Sequence, residues 1–381
     1  VLQQWDGAKL AGLVKTKQLP HKGRTMLKFF EGNTLIQNVS NWSAAALEQA
    51  RALEIDWSDW SKVRSTLQDS TFEAKVKAGE SLYHACIKGA RRVIGAEVRE
   101  VELSDGVVHY WTTNKPNRET ILFLHGFADS KDGVYSFALH LFKEFNVMAI
   151  DLPGFGQSFA NPELPYDTHA YGRWLDEFVT KTGMGPVHVV GNSLGGAMAL
   201  KLALVRPDVV KSITLLNAAG LIDPEHESLY DEIMQGINIF QVKTLEEFEK
   251  FWAKVFHKQP FLPPFAKAFL FQRFRDNHDW YGELVQRNFG GYKDRKDPSF
   301  LELFMNKNLH RIEKPALILW GEHDRLFPVA YGAHGHKLWK GSRFVVLKDV
   351  GHAPQVEAPR MVARHLKSFI RELPKEATSN S

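Results

Sequence analysis

From about residue 97 onward, apolar residues cluster in short β-rich runs at 121–124, 147–150, 187–190, 213–216, 317–319 and 344–347. Segments with helical spacing separate them. Strands that read apolar without alternation are buried on both sides, which predicts an α/β fold: a mostly parallel sheet with helices on both faces. Just ahead of these runs, Val98, Val101, Val107, Val108, Tyr110 and Trp111 flank Ser104-Asp105-Gly106, the pattern of a hairpin. Residues 1–95 carry no strong strand signal. Ser43 followed by apolar residues to Ile55 predicts a capped helix, and a second helix is expected over about 72–93.

Between the run ending near Asn217 and the one starting at Pro315, almost a hundred residues lack any strand pattern and are rich in Phe, Trp and Tyr. A structureless loop of that length is improbable in a compact domain. Helical spacing at 245–255, and again at 265–275 after Pro263-Pro264, predicts a helical insertion packed on the end of the sheet. The expected organisation is a helical N-terminal extension (1–95), a first core part (96–220), a helical cap (221–309) and a second core part (310–381). No internal repeat is visible.

Composition narrows the class without changing this outline. With 44% apolar and 24% charged residues, the 381-residue chain is an ordinary globular one. Its one cysteine, Cys86, excludes an internal disulfide and a cysteine-built zinc site. No apolar run reaches the ~18–20 residues of a membrane span. The net charge of +4 is concentrated at the front, where Lys9, Lys15, Lys17, Lys22, Arg24 and Lys28 face Asp6 alone. No base-stacking pattern accompanies these cations, so no nucleic-acid partner is expected. The alternating apolar and basic residues of 9–15 suit peripheral membrane contact. The expected location is cytoplasmic or peripheral to a membrane, and a first residue of valine is compatible with a leader removed upstream. Asn38 and Asn41 open N-x-S sequons that matter only in a glycosylating compartment.

Candidate chemistry centres on Gly191-Asn192-Ser193-Leu194-Gly195, which follows one apolar run and precedes a helical pattern. That is the strand–turn–helix setting of the G-x-S-x-G nucleophile elbow. Serine needs a base, and the base needs a third group to fix its tautomer. The chain order for this elbow is serine, acid, histidine. Asp324 lies just after the 317–319 run and His352 just after the 344–347 run, so both fall in loops at strand C-terminal ends, where parallel sheets place their crevice. Asp223 is the competing acid, and Asp349 is expected to order the loop before His352. His323, His334 and His336 do not follow the final run directly, and His334-Gly335-His336 is too isolated for a metal site. The oxyanion donors expected in such a site are the backbone N–H groups of Leu194 and Phe127, the latter in the loop after 121–124. His125 is expected to brace that loop, and the turn-rich stretch 151–158 to be structural.

Together, His125-Gly126-Phe127, the 151–158 loop, Gly191–Gly196, Trp320-Gly321-Glu322-His323-Asp324 and Gly351-His352 resemble the α/β-hydrolase superfamily from about residue 97 to 373. Within it, the 125–132 stretch, Asn217-Ala218-Ala219-Gly220 and the helical insertion look similar to the bacterial lipase and monoacylglycerol lipase branch. The resemblance implies hydrolysis of a small-molecule or lipid ester, with acylglycerols the expected class and no cofactor or metal. The same triad also resembles the hydrolases that cleave carbon–carbon bonds in meta-cleavage products, which usually carry a longer Gly-rich loop where this chain has Phe127-Ala128. A thioesterase shares the triad as well. A non-catalytic binder on this fold would be expected to lack one of the three residues, and all are present.

Overall fold

A computed structural model of the chain describes residues 71–260 and 262–374. The helix expected after Ser43, the basic arm at 9–15 and both sequons lie outside the described residues. The helices longer than one turn are α1 (Phe72–Ile94), α2 (Thr168–Thr182), α3 (Leu194–Val205), α4 (Leu229–Met234), α5 (Leu245–Val255), α6 (Pro264–Asp276), α7 (His278–Phe289), α8 (Val329–Leu338) and α9 (Pro359–Arg371). The strands are β1 (Glu97–Leu103), β2 (Gly106–Thr112), β3 (Thr120–Leu124), β4 (Asn146–Ile150), β5 (Val187–Asn192), β6 (Val210–Leu216), β7 (Ala316–Gly321) and β8 (Ser342–Leu347). Among the described residues no helix is long and apolar enough to cross a membrane.

The chain divides into two compact units. In the first, α1 is capped by the Thr71 hydroxyl, which accepts from the Ala74 N–H, and stops at Gly95 in the left-handed conformation. Pro260 and residues 262–273 belong to this unit. Gly79 is the notch that allows it, since a Cβ there would stand 2.2 Å from the Phe265 carbonyl oxygen. Tyr83 and Phe269 add a ring contact at 5.3 Å. Burial pushes the Cys86 thiol of α1 up to about 11, which keeps it protonated.

The second unit is built on one eight-stranded sheet of order β1-β2-β4-β3-β5-β6-β7-β8. β1, β2 and β4 pair antiparallel, and every pair from β4 through β8 is parallel. β5 and β7 are buried along their whole length; β7 is apolar throughout, and β5 buries His188 and Asn192 on hydrogen bonds. β1 is the opposite case. Its Glu97, Arg99 and Glu100 are exposed, and charge on an edge strand discourages pairing with another chain. The inserted segment supplies α4, α5 and α7. α5 carries a full capping box in which Thr244 and Glu247 satisfy each other's backbone N–H groups.

A buried ion pair holds the loop after β4. Lys131 and Asp151 are 1% and 0% exposed at the side chain, with Nζ 2.6 Å from Oδ2. The same carboxylate accepts from the Lys131 and Gln157 backbone N–H groups. Removing one member of a buried pair strands the other charge, at a cost of about 3–5 kcal/mol. Asp151→Asn is therefore expected to lower unfolding free energy by about that amount in urea titrations. A loss under 1 kcal/mol would contradict this reading.

Buried and half-buried histidines give the fold a pH dependence. On β5, His188 bonds the Ser212 hydroxyl, and burial holds its pKa below the ordinary value despite Glu119 nearby. Burial depresses His140 and His365 in the same direction. Between the depressed folded values and the unfolded value of about 6.5, the unfolded chain binds more protons. Stability therefore falls as pH drops below about 6.5, and His188→Gln is expected to flatten the slope of melting temperature between pH 7 and 5. An unchanged slope would count against it.

Candidate active site

Strand order sets where a site can form. β3 is flanked by β4 on one side and β5 on the other, so the chains leaving β3 and β5 diverge at their C-terminal ends. Such a switch point opens a crevice at the sheet rim. The loop after β3 carries His125, Gly126 and Phe127, and the turn after β5 carries Ser193.

Ser193 has φ 52° and ψ −120°, a conformation L-residues avoid, between the last residue of β5 and the first of α3. Two neighbours make it attainable. A Cβ on Gly191 would stand 2.1 Å from the Gly195 oxygen, and one on Gly195 would stand 2.0 Å from the Leu124 oxygen. The turn is then fastened on both sides: the Ser193 N–H donates to Leu216 O at 3.0 Å, and its carbonyl accepts from the Ala219 N–H at 2.9 Å.

The geometry joins two of the sequence candidates directly. His352 Nδ1 lies 2.9 Å from Asp324 Oδ2, with both side chains nearly or wholly buried. A carboxylate can only accept, so Nδ1 carries the hydrogen, and in the neutral ring the lone pair is then on Nε2. Asp324 is held on every side. Its Oδ1 accepts from the Leu326 and Phe327 N–H groups at 2.8 and 3.1 Å, and its Oδ2 also accepts from Asn217 Nδ2 at 2.6 Å. The loop bearing His352 is tied to the serine turn: Asn192 Nδ2 donates to the His352 carbonyl at 3.1 Å, and Gln355 Nε2 donates to Asn192 Oδ1 at 3.0 Å.

Phe127 and Leu194 flank the same turn. A Cβ on Gly126 would lie 3.3 Å from Ser193 Cβ, which places the β3 loop against the serine. Leu194 is the first residue of α3, where backbone N–H groups have no intrahelical acceptor. Among the described residues nothing accepts from the Phe127 N–H. The next residue, Ala128, takes φ 60°. His125 is spent on structure: its Nε2 accepts from the Leu152 N–H at 3.0 Å while Nδ1 donates to Gly126 O at 2.7 Å. The Phe127 ring opens an aromatic wall, 5.0 Å from Phe155, 4.5 Å from Phe240 and 5.5 Å from Tyr281. Phe251 and Phe274 continue it.

The other acid candidates have different duties. Asp223 faces His226 and caps its own turn through the Glu225 N–H. Asp349, at φ 58°, lies within 3.5 Å of Lys258 Nζ and 3.9 Å of His257 Nε2. Among the described residues, His257, His323 and Asp349 are a group with metal-ligand donors, all within 4.8 Å of one another. The two imidazoles stack at 3.9 Å with planes 17° apart, so their lone pairs run alongside each other instead of converging on a tetrahedral ion.

Sequence reasoning missed Asn217 and Glu357. Asn217 follows β6 directly at φ 48°, bonds Asp324 with Nδ2, and accepts from the Gly321 N–H with Oδ1. Glu357 accepts from the Gly351, His257 and Lys258 N–H groups and so fastens the His352 loop. Burial, aided by the charge of Asp324, pushes the Glu357 carboxyl above its usual range. The signal for Asn217 was a residue type that tolerates positive φ placed directly after a strand.

A family model described as the alpha/beta hydrolase fold matches residues 119–359. Lipase 1 of Psychrobacter immobilis is 27% identical over 275 residues, 72% of this chain and 84% of that protein. Monoacylglycerol lipase ABHD6 of Bos taurus is 26% identical, over 76% of this chain and 86% of its own. Among solved structures, a membrane phospholipase A described as a bacterial virulence factor superposes with a TM-score of 0.71 at 28% identity, covering 77% and 91% of the two chains.

Proposed function

The chain belongs to the alpha/beta hydrolase fold family, and on that premise we propose that it is a serine carboxylic-ester hydrolase of the lipase or esterase kind, with acylglycerol-type substrates. The observation that carries the reading is the Asp324–His352 pair, bound through Asn192 to the strained turn that presents Ser193.

Ser193 Oγ attacks the ester carbonyl carbon while His352 Nε2 takes its proton. Asp324 stabilises the imidazolium that results. The Phe127 and Leu194 N–H groups receive the oxyanion; a single donor of this kind is worth about 2.7–4 kcal/mol in other enzymes. Collapse of the tetrahedral species breaks the ester C–O bond, and His352 returns the proton to the departing alcohol. Water, deprotonated by the same histidine, then attacks the acyl-enzyme, releases the carboxylic acid and restores Ser193.

The aromatic wall beginning at Phe127 supports an acyl chain as the group recognised, since each buried CH₂ adds about 0.8 kcal/mol. A panel of nitrophenyl esters tests this. Turnover that rises from acetate toward medium and long acyl chains is expected. A sharp optimum at acetate would remove the lipase half of the proposal. Turnover of a thioester or a meta-cleavage dienone without any ester turnover would replace the whole of it.

A further inference from the structure

Away from the candidate active site, an open groove of about 440 Å³ is lined by His140 and, from α9, by Arg360, Arg364, Lys367, Ser368 and Arg371. The four cations recur at helical spacing along one stripe of α9, while Val362, Leu366, Phe369 and Ile370 bury the other side. Among the described residues Glu144 is the carboxylate paired with them, taking Lys367 Nζ at 2.6 Å and an Arg371 nitrogen at 2.7 Å, while Glu372 takes the Ser368 hydroxyl and pairs with Arg343. Arg360 and Arg364 are exposed and have no carboxylate partner among the described residues. His140 contributes a buried Nε2 with no hydrogen-bond partner among the described residues. Burial and the nearby charges of Arg360 and Lys367 hold its pKa down, which keeps the ring neutral at pH 7.

Four cations sharing one carboxylate repel one another, and the repulsion is relieved by an anion rather than by water. Two guanidinium forks one helical turn apart match a tetrahedral oxyanion better than a planar carboxylate, because phosphate offers three acceptor oxygens to separate donors. A neutral imidazole adds a donor without adding charge. We propose that this groove binds a phosphate monoester, gripped by Arg360 and Arg364 and completed by His140. The site is independent of the ester chemistry. Its ligand is either a soluble phosphate compound or the headgroup of an anionic phospholipid, and the two sources separate by experiment.

The test uses the full chain. Calorimetry with inorganic phosphate and with glycerol phosphate reports the soluble source. Flotation with phosphatidylcholine vesicles, with and without phosphatidic acid, reports the lipid source. Wild type is expected to bind at least one of these probes and to ignore pure phosphatidylcholine. Arg360→Gln with Arg364→Gln changes two exposed side chains, so the melting temperature should hold while affinity falls about tenfold or more, the loss of at least one charge-assisted contact. Glu144→Gln, which frees Lys367 and Arg371, should tighten binding. Phosphate binding confined to the soluble probes assigns the free source, and binding confined to anionic vesicles assigns the headgroup. If wild type binds neither, or the double variant matches wild type on every probe, the proposal is wrong.

Discussion

Ser193→Ala should lower kcat for ester hydrolysis by about 10⁶-fold and leave the fold intact. The alanine methyl cannot form the acyl-enzyme, and the backbone donors beside it remain, so a small residual rate is the expected floor. The fold should survive because the turn is held by its neighbours: Gly191, Gly195 and the backbone bonds to Leu216 and Ala219 do not involve the hydroxyl. Kinetics at saturating ester, with the melting temperature as control, checks both halves. A loss below tenfold would mean that the acyl group is transferred elsewhere.

Asp324→Asn is expected to lower kcat by about 10⁴-fold with little change in KM. The reasoning is local. Oδ1 accepts from two backbone N–H groups, so the amide oxygen of an asparagine must take that side. Its NH₂ then points at Asn217 Nδ2 and His352 Nδ1, where Oδ2 had accepted from both. Donor meets donor, and the imidazole can restore a bond only by moving its hydrogen to Nε2. That removes the lone pair the reaction needs. Replacement at Asp223, which bonds His226 and the Glu225 N–H instead of His352, should leave kcat within about twofold of wild type.

Much of this was legible before any coordinates. All six short runs became parallel strands: β3, β5, β6 and β7 lie inside the sheet, where both faces are buried and side chains are mostly apolar, whereas the edge strand β8 keeps much of its run at the surface. Ser193 was legible because Gly191 and Gly195 are demanded by backbone contacts near 2 Å, which leaves a mark in the sequence. Asn217 was not, because its work is done through side-chain bonds to Asp324 and Gly321, more than a hundred residues away. Lys131 misleads in the same way. A lysine reads as a surface residue, and only the folded chain brings Asp151 to pair with it. The placing of Pro260 and 262–273 with α1 rests on the small size of Gly79, which local periodicity does not report.

The central claim is that one serine, at the strained turn after β5, forms the covalent intermediate. Incubation with a fluorophosphonate followed by peptide mass spectrometry addresses it most directly. The account predicts one adduct per chain, on the peptide containing Ser193, and none in Ser193→Ala. An adduct on a different serine, or undiminished labelling of the alanine variant, would contradict it.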